Sequence, residues 1–183
     1  MTSGVHDWDD RLTAGESGEE LLDELMREEL GVEILRVTMP LQKLGLDRVL
    51  VSDRPKNDQL RLTSVEYKSD YVGAKTKNCF VEMVSVVERN KLGWAYTSNA
   101  EFLVHWIPAP ESLAYVVPFR RLRRELDRWR EDYQSRTVTS RDPETGIEWH
   151  TAGLIVPMHE YERIAQWKLD TSALEARQVA GNL

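Results

Sequence analysis

Cysteine is almost missing: Cys79 is the only one in 183 residues. That excludes an internal disulfide and any zinc site built on several thiolates. No apolar run approaches the ~20 residues needed to cross a bilayer. Residues 1–11 carry Asp7, Asp9 and Asp10 and no apolar stretch, so they do not read as a secretory signal. A glycine-rich phosphate loop is absent, which argues against a nucleotide-hydrolysing domain. His6, His105, His150 and His159 share no metal-ligand spacing with one another or with Cys79. Ser98 and Ser112 lack the context of a nucleophile elbow. The expectation is a reduced, cytoplasmic protein with no membrane partner.

The chain is 41% hydrophobic and 30% charged, enough apolar content for a core. Its length suits one domain. We expect a flexible acidic leader over 1–15, one domain over 16–170 and a tail over 171–183. The net charge of −7 is unevenly spread. Residues 1–33 hold eleven acids and two bases, a net −9, so the remaining 150 residues carry +2. An acidic whole is therefore compatible with a polyanionic partner, because the placement of positive charge decides phosphate binding.

Periodicity divides the chain. A helix is expected over 17–30, with Ser17 as N-cap, Glu20 completing a capping box and Gly31 as the stop. Leu21, Leu22, Leu25, Met26 and Leu30 form its apolar stripe. Strands are expected over 32–38, 46–52, 60–69, 79–87 and 102–107, with a turn at 53–58 and a polar loop at 70–77. Residues 115–117 read as a short edge strand. A helix over 119–133 places Leu122, Leu126, Trp129 and Tyr133 on one face. Turn residues at 141–146 imply a hairpin between 137–139 and 147–150. A short apolar piece at 154–157, a helix over 158–167 and the tail complete a mixed α/β or α+β domain.

Residues two apart on a strand share a face, so Glu66 and Lys68 point the same way. An acid and an amine flanked by apolar runs are costly to bury unless paired or metal-bound. Asp47 opens the preceding strand, and Asn78 and Glu82 share a face on the following one. Carboxylate oxygens are hard ligands suited to Mg²⁺, which takes one or two of them plus water. Asp47 and Glu66 would supply oxygens, the Tyr67 carbonyl a third ligand, and Glu82 a second site or a partner for Lys68. Desolvation would lower the Lys68 pKa and fit it to position or deprotonate water. The chemistry these types support is metal-assisted phosphodiester hydrolysis.

Gly45-Leu46-Asp47 followed by Val65-Glu66-Tyr67-Lys68-Ser69-Asp70 resembles the PD-(D/E)XK, or restriction-endonuclease-like, nuclease superfamily. Thr76-Lys77-Asn78-Cys79-Phe80-Val81-Glu82 is similar to the segment that follows the motif in several members. The resemblance covers about residues 15–107, and Leu46 stands where the superfamily often has proline. It implies an α/β fold with a mixed central sheet flanked by helices, here with an additional C-terminal hairpin and helix. It implies Asp47 and Glu66 as metal ligands, Lys68 as the catalytic lysine, and Mg²⁺ as cofactor, with Mn²⁺ substituting. DNA is favoured over RNA as partner, and 5′-phosphates as products. Many members add a glutamate from the first helix; Glu19, in line with Leu22, Met26 and Leu30, is the candidate here.

Other readings stay open. An acid-x-lysine triplet on a strand often marks a solvated ion pair, and Glu19 also suits a helix N-terminus. The helix at 119–133 and its flank carry seven arginines against four acids. Arg120, Arg121 and Arg124 could hold a phosphate backbone or belong to a helix laced with ion pairs. Lys75, Lys77 and Asn78 are further nucleic-acid contacts by position. The alternatives to a nuclease are a non-catalytic nucleic-acid- or protein-binding module on the same fold, and an RNA-cleaving effector. A homodimer would provide two sites for two strands.

Overall fold

The computed structural model describes residues 8–56, 59–142 and 145–181. Helix α1 (Trp8–Leu30) starts earlier than the spacing suggests, so Ser17 lies inside it rather than capping it. Residues 1–7 of the expected leader lie outside the described residues. Gly31 ends the helix at φ +61°, its N–H donating to the Arg27 carbonyl at 3.1 Å.

Three antiparallel strands follow: β1 (Val32–Arg36), β2 (Arg48–Lys56) and β3 (Gln59–Ser69), with a helical turn, α2 (Met39–Gln42), between the first two. β2 and β3 run through most of the expected 53–58 turn, which leaves only 57–58, outside the described residues. After α3 (Gly73–Thr76), β4 (Asn78–Val86), β5 (Lys91–Leu92) and α4 (Trp94–Thr97), strand β6 (Phe102–Ile107) lies parallel to β3. β7 (Leu113–Pro118) pairs antiparallel with β6. α5 (Phe119–Asp132), β8 (Ser135–Arg141), β9 (Glu148–Pro157), α6 (Met158–Ile164), β10 (Trp167–Asp170) and α7 (Ser172–Gly181) complete the chain.

The strands form a mixed six-stranded sheet, β1-β2-β3-β6-β7-β10, and a four-stranded sheet, β5-β4-β9-β8. The fold is thus mixed α/β. Alternation along the strands decides which side chains meet which layer. Val65, Tyr67, Val104, Trp106 and Val116 pack with Leu21, Leu22, Leu25 and Met26 of α1. Leu103, Ile107, Tyr115 and Val117 face the opposite way, against Cys79 and Val81 of β4, Leu154 and Val156 of β9, and apolar residues of α5 and α6. One helical layer therefore covers one face of the large sheet, and the second sheet with α5 and α6 covers the other.

Several sequence expectations need correction. β7 is no edge strand: it lies between β6 and β10 and all six residues are buried. The expected pieces 147–150 and 154–157 are one strand, β9, whose long pairing with β4 keeps it extended. The hairpin is therefore not appended to a single sheet but builds a second one with β4. The helix expected over 158–167 stops at Ile164, and Trp167 opens β10 against β7. The tail is helical and docked: Glu175 accepts hydrogen bonds from Trp106 Nε1 and Ala109 N, both at 3.0 Å. Among the described residues no helix is long and apolar enough to cross a membrane.

α5 behaves as its pattern implies, with Phe119, Leu122, Leu126 and Trp129 buried. Its polar face is not simply solvated. Arg128 of α5 reaches Glu160 of α6, which is 6% exposed and also accepts from Trp129 Nε1 at 3.2 Å and Tyr133 OH at 2.8 Å. Hydrogen bonding from Arg128, and less from Tyr133, Trp129 and Arg163, outweighs burial and brings the Glu160 carboxyl down to about 2. A depressed carboxyl stabilises the fold above its unfolded pKa and loses that contribution as pH falls through the folded one. Glu160→Gln should cost roughly 3 kcal/mol at neutral pH. Urea unfolding across pH should show its acid limb, from about 4.5 to about 2, flattened relative to wild type.

Candidate active site

β3 carries the two faces of the sheet in successive residues. Val65 and Tyr67 enter the α1 layer, which turns Glu66 and Lys68 toward the second sheet. Glu66 is 3% exposed. Its Oε1 lies 2.8 Å from Lys68 Nζ, and its Oε2 is buried with no hydrogen-bond partner among the described residues. Lys68 keeps about a third of its side chain, 36%, open to solvent.

Asp47 stands just before β2, past the last rung of the β2–β3 ladder, Arg48 opposite Val65. Its N–H donates to the Val65 carbonyl at 2.8 Å, and its Oδ2 accepts the Tyr67 N–H at 2.7 Å. The carboxylate thus takes an amide that the ladder leaves over, which fixes Asp47 beside the Glu66–Lys68 pair.

A loop closes over them. Gly45 adopts φ +74°, and its carbonyl accepts the Ser98 hydroxyl at 2.9 Å. A Cβ at Gly45 would lie 2.9 Å from Glu66 Oε2 and 2.8 Å from Ser98 Cα. The result is a cleft of about 410 Å³ between the two sheets, lined by Gly45, Glu66, Lys68, Glu82, Lys43 and Lys91 among others. Glu82 of β4 takes the Trp94 N–H on Oε1 at 3.4 Å.

Electrostatics in the cleft run against one expectation. Burial alone would lower the Lys68 pKa, but Glu66, then Asp47 and Glu82, more than offset it and hold the ammonium above its ordinary value. Lys68 is therefore a cation in this state, not a ready base, because carboxyl groups surround it. Burial pushes the Glu82 carboxyl up, and Lys68 and the Trp94 N–H pull it only partly back. Beside Lys68, His105 is its register partner on β6. Burial brings His105 down to about 4 against the pull of Asp70, with Lys68 adding to the fall, so the imidazole is neutral near pH 7.

The structure brings Asp47, Glu66, Lys68 and Glu82 together and leaves the others outside. Glu19 turns to Arg48, whose Nη2 donates to Glu19 Oε2 at 2.8 Å. Arg48 also binds Asp23 through Nε at 2.9 and 3.1 Å, and the Asp47 carbonyl through Nη1 at 2.8 Å. Asp23 is 2% exposed and lies one helical turn from Glu19. Tyr67 meets Asp47 by its amide, and its ring lies in the opposite layer under Arg48. Asn78 donates to the Thr76 carbonyl at 2.8 Å. Lys75 and Lys77 are exposed at α3, with Lys77 Nζ 3.7 Å from Glu111. Arg121 donates to the carbonyls of Ile164 and Ala165 at 3.3 and 3.4 Å. Arg120 and Arg124 are exposed and form no ion pair among the described residues. Sequence reasoning missed Arg48, Asp23, Lys43 and Lys91. The Glu19–Asp23 spacing with an arginine beside Asp47 is the one signal that could have found the first two.

The donor set suits a hard divalent cation. Among the described residues no three His, Cys, Asp or Glu side chains converge to hold a metal by themselves. Mg²⁺ needs only one or two carboxylates plus water, and Glu66 Oε2 is a buried oxygen with no other partner. Comparison with protein-family models, with curated proteins and with solved structures finds no match for this chain.

The loop makes a direct prediction. Gly45→Ala combines a left-handed backbone with two contacts below 3.0 Å, whereas Gly31→Ala has the same backbone sign and nothing among the described residues within 4 Å. Gly31→Ala should cost about 1 kcal/mol in urea unfolding, and Gly45→Ala at least about 1 kcal/mol more. Equal costs would mean that the loop does not bear on Glu66.

Proposed function

We propose that this protein is a metal-dependent nuclease that hydrolyses phosphodiester bonds, DNA in preference to RNA. The observation that carries the reading is the Glu66–Lys68 pair in the cleft, 2.8 Å apart, with Glu66 Oε2 unpartnered among the described residues and the Asp47 charge close enough to act on Lys68. A mixed sheet with β3 parallel to β6, and helices on both faces, supports a restriction-endonuclease-like assignment.

Asp47 and Glu66 would hold Mg²⁺, or Mn²⁺ in its place. The bound ion supplies acidification of water and neutralisation of charge at the phosphate. The chain's own contribution is positional. Asp47 is fixed by the Tyr67 amide, and Glu66 by Lys68 and the Gly45 loop. Lys68, held protonated, places an ammonium where charge develops on the phosphoryl oxygens as water attacks in line. That role is electrostatic, which departs from the general-base assignment drawn from desolvation alone. Glu19 acts at one remove, through Arg48 and the Asp47 carbonyl, as a positioning residue.

The second reading, a non-catalytic binding module on this fold, draws on the absence of a three-ligand cluster among the described residues. Purified protein with Mg²⁺ and plasmid or single-stranded circular DNA separates the two. We expect cleavage that chelator abolishes, and a loss of about 100-fold or more in Asp47→Asn and in Lys68→Ala. Binding that persists in both variants, with no cut products from wild type, would establish the module instead.

A further inference from the structure

The residues that line the cleft segregate by charge and depth. Glu66 is 3% exposed and its free Oε2 faces the Gly45 loop. Lys68 stands part-way out. Lys43 and Lys91 line the same cleft, are exposed, and form no ion pair among the described residues. They come from different walls. Lys43 belongs to the loop that the backbone N–H of Asn99 anchors at Leu44. Lys91 opens β5, which pairs with β4, the strand of Glu82, in the second sheet.

Carboxyl groups below and ammonium groups above suit a polyanion that enters the cleft. The exposed ammoniums can take backbone phosphates, a contact that positions a strand without reading its sequence. Depth restricts the kind of strand. Glu66 is buried and the lysines are exposed, so a phosphate that reaches Glu66 sits deeper than one held by the lysines. At about 410 Å³ the space is near the small end of ligand-enclosing pockets. One extended strand can lower a phosphate into such a space, while two paired strands meet only its rim. Leu92, half-exposed beside Lys91 in the cleft, adds an apolar surface for a base.

Resting on the nuclease reading, we infer that the cleft takes single-stranded nucleic acid, with Lys43 and Lys91 holding backbone phosphates on either side of the one at Glu66. One site then suffices for one strand. Lysines on α3 and arginines on α5 are not required for this grip.

The test is binding of the wild-type chain, with Mg²⁺, to fluorescently labelled phosphorothioate oligothymidylate, oligouridylate and a DNA duplex, each followed by anisotropy across salt. Sulfur substitution separates binding from cleavage. Single strands, deoxy or ribo, should bind tighter than the duplex. In the Lys43→Gln/Lys91→Gln double variant the slope of log K against log salt should fall by about 0.7 per lysine. A slope equal to wild type, or tighter binding of the duplex than of both single strands, overturns the inference. Natural oligonucleotides run alongside distinguish the two failures. Cleavage with an unchanged slope removes the lysine clamp and keeps the nuclease; a changed slope without cleavage keeps the clamp and removes the nuclease.

Discussion

The contact between Glu66 and Lys68 depends on a property of β-strands before it depends on charge. Side chains two residues apart share a face, so a strand that buries Val65 and Tyr67 against α1 must send Glu66 and Lys68 together to the other side. A shift of one residue in the β2–β3 register would put both charges into the α1 core. The register is held by the apolar demand of that core and, at its end, by Asp47 taking the Tyr67 amide. The same rung that ends the ladder therefore places the second carboxylate.

Arg48 shows how the two faces are coupled. It is 3% exposed and satisfies Asp23, Glu19 and the Asp47 carbonyl at once. A guanidinium presents several donors in a fixed fork, so it can bind two carboxylates and a carbonyl where a lysine could not. α1 is thereby tied to the backbone that carries Asp47. Such a pair adds little net stability against an apolar substitute, but it specifies the angle between layers.

Legibility in the sequence followed the range of the physics. Periodicity found α1, the β2–β3 meander, β6 and α5, because each is set by local alternation of apolar residues. The Glu66–Lys68 face was readable for the same reason. What failed was set by partners distant in sequence. β4 reads like a further strand of one sheet, yet it pairs with β9, some seventy residues on, and so begins a second sheet. Tyr115–Val117 looks short because Ala114 and Pro118 break the β-branched pattern, though the strand lies inside the sheet. Arg128 looks solvated from its own helix and is bound to Glu160 of another. The Lys68 pKa has the opposite direction to the one desolvation implies, because Glu66 on its own strand, then Asp47 just before β2 and Glu82 on β4, outweigh burial, and the last two become neighbours only in three dimensions.

Charge balance gives the functional reading its strongest support. Three carboxyl groups, Asp47, Glu66 and Glu82, act on a single ammonium, Lys68. The carboxylates keep Lys68 charged, while burial, and to a smaller extent Glu66, pushes Glu82 toward the neutral form. Sequestering one oxygen of Glu66 from both water and donors is unfavourable unless something takes it up. The lysines of the cleft wall, Lys43 and Lys91, are exposed and form no ion pair with it among the described residues. Replacing a buried ion pair with apolar residues of similar volume is often neutral or stabilising, so stability alone does not account for these acids. Glu66 and Glu82 line an open cleft rather than a sealed core, where a cation and an anionic substrate arriving from solution can reach them.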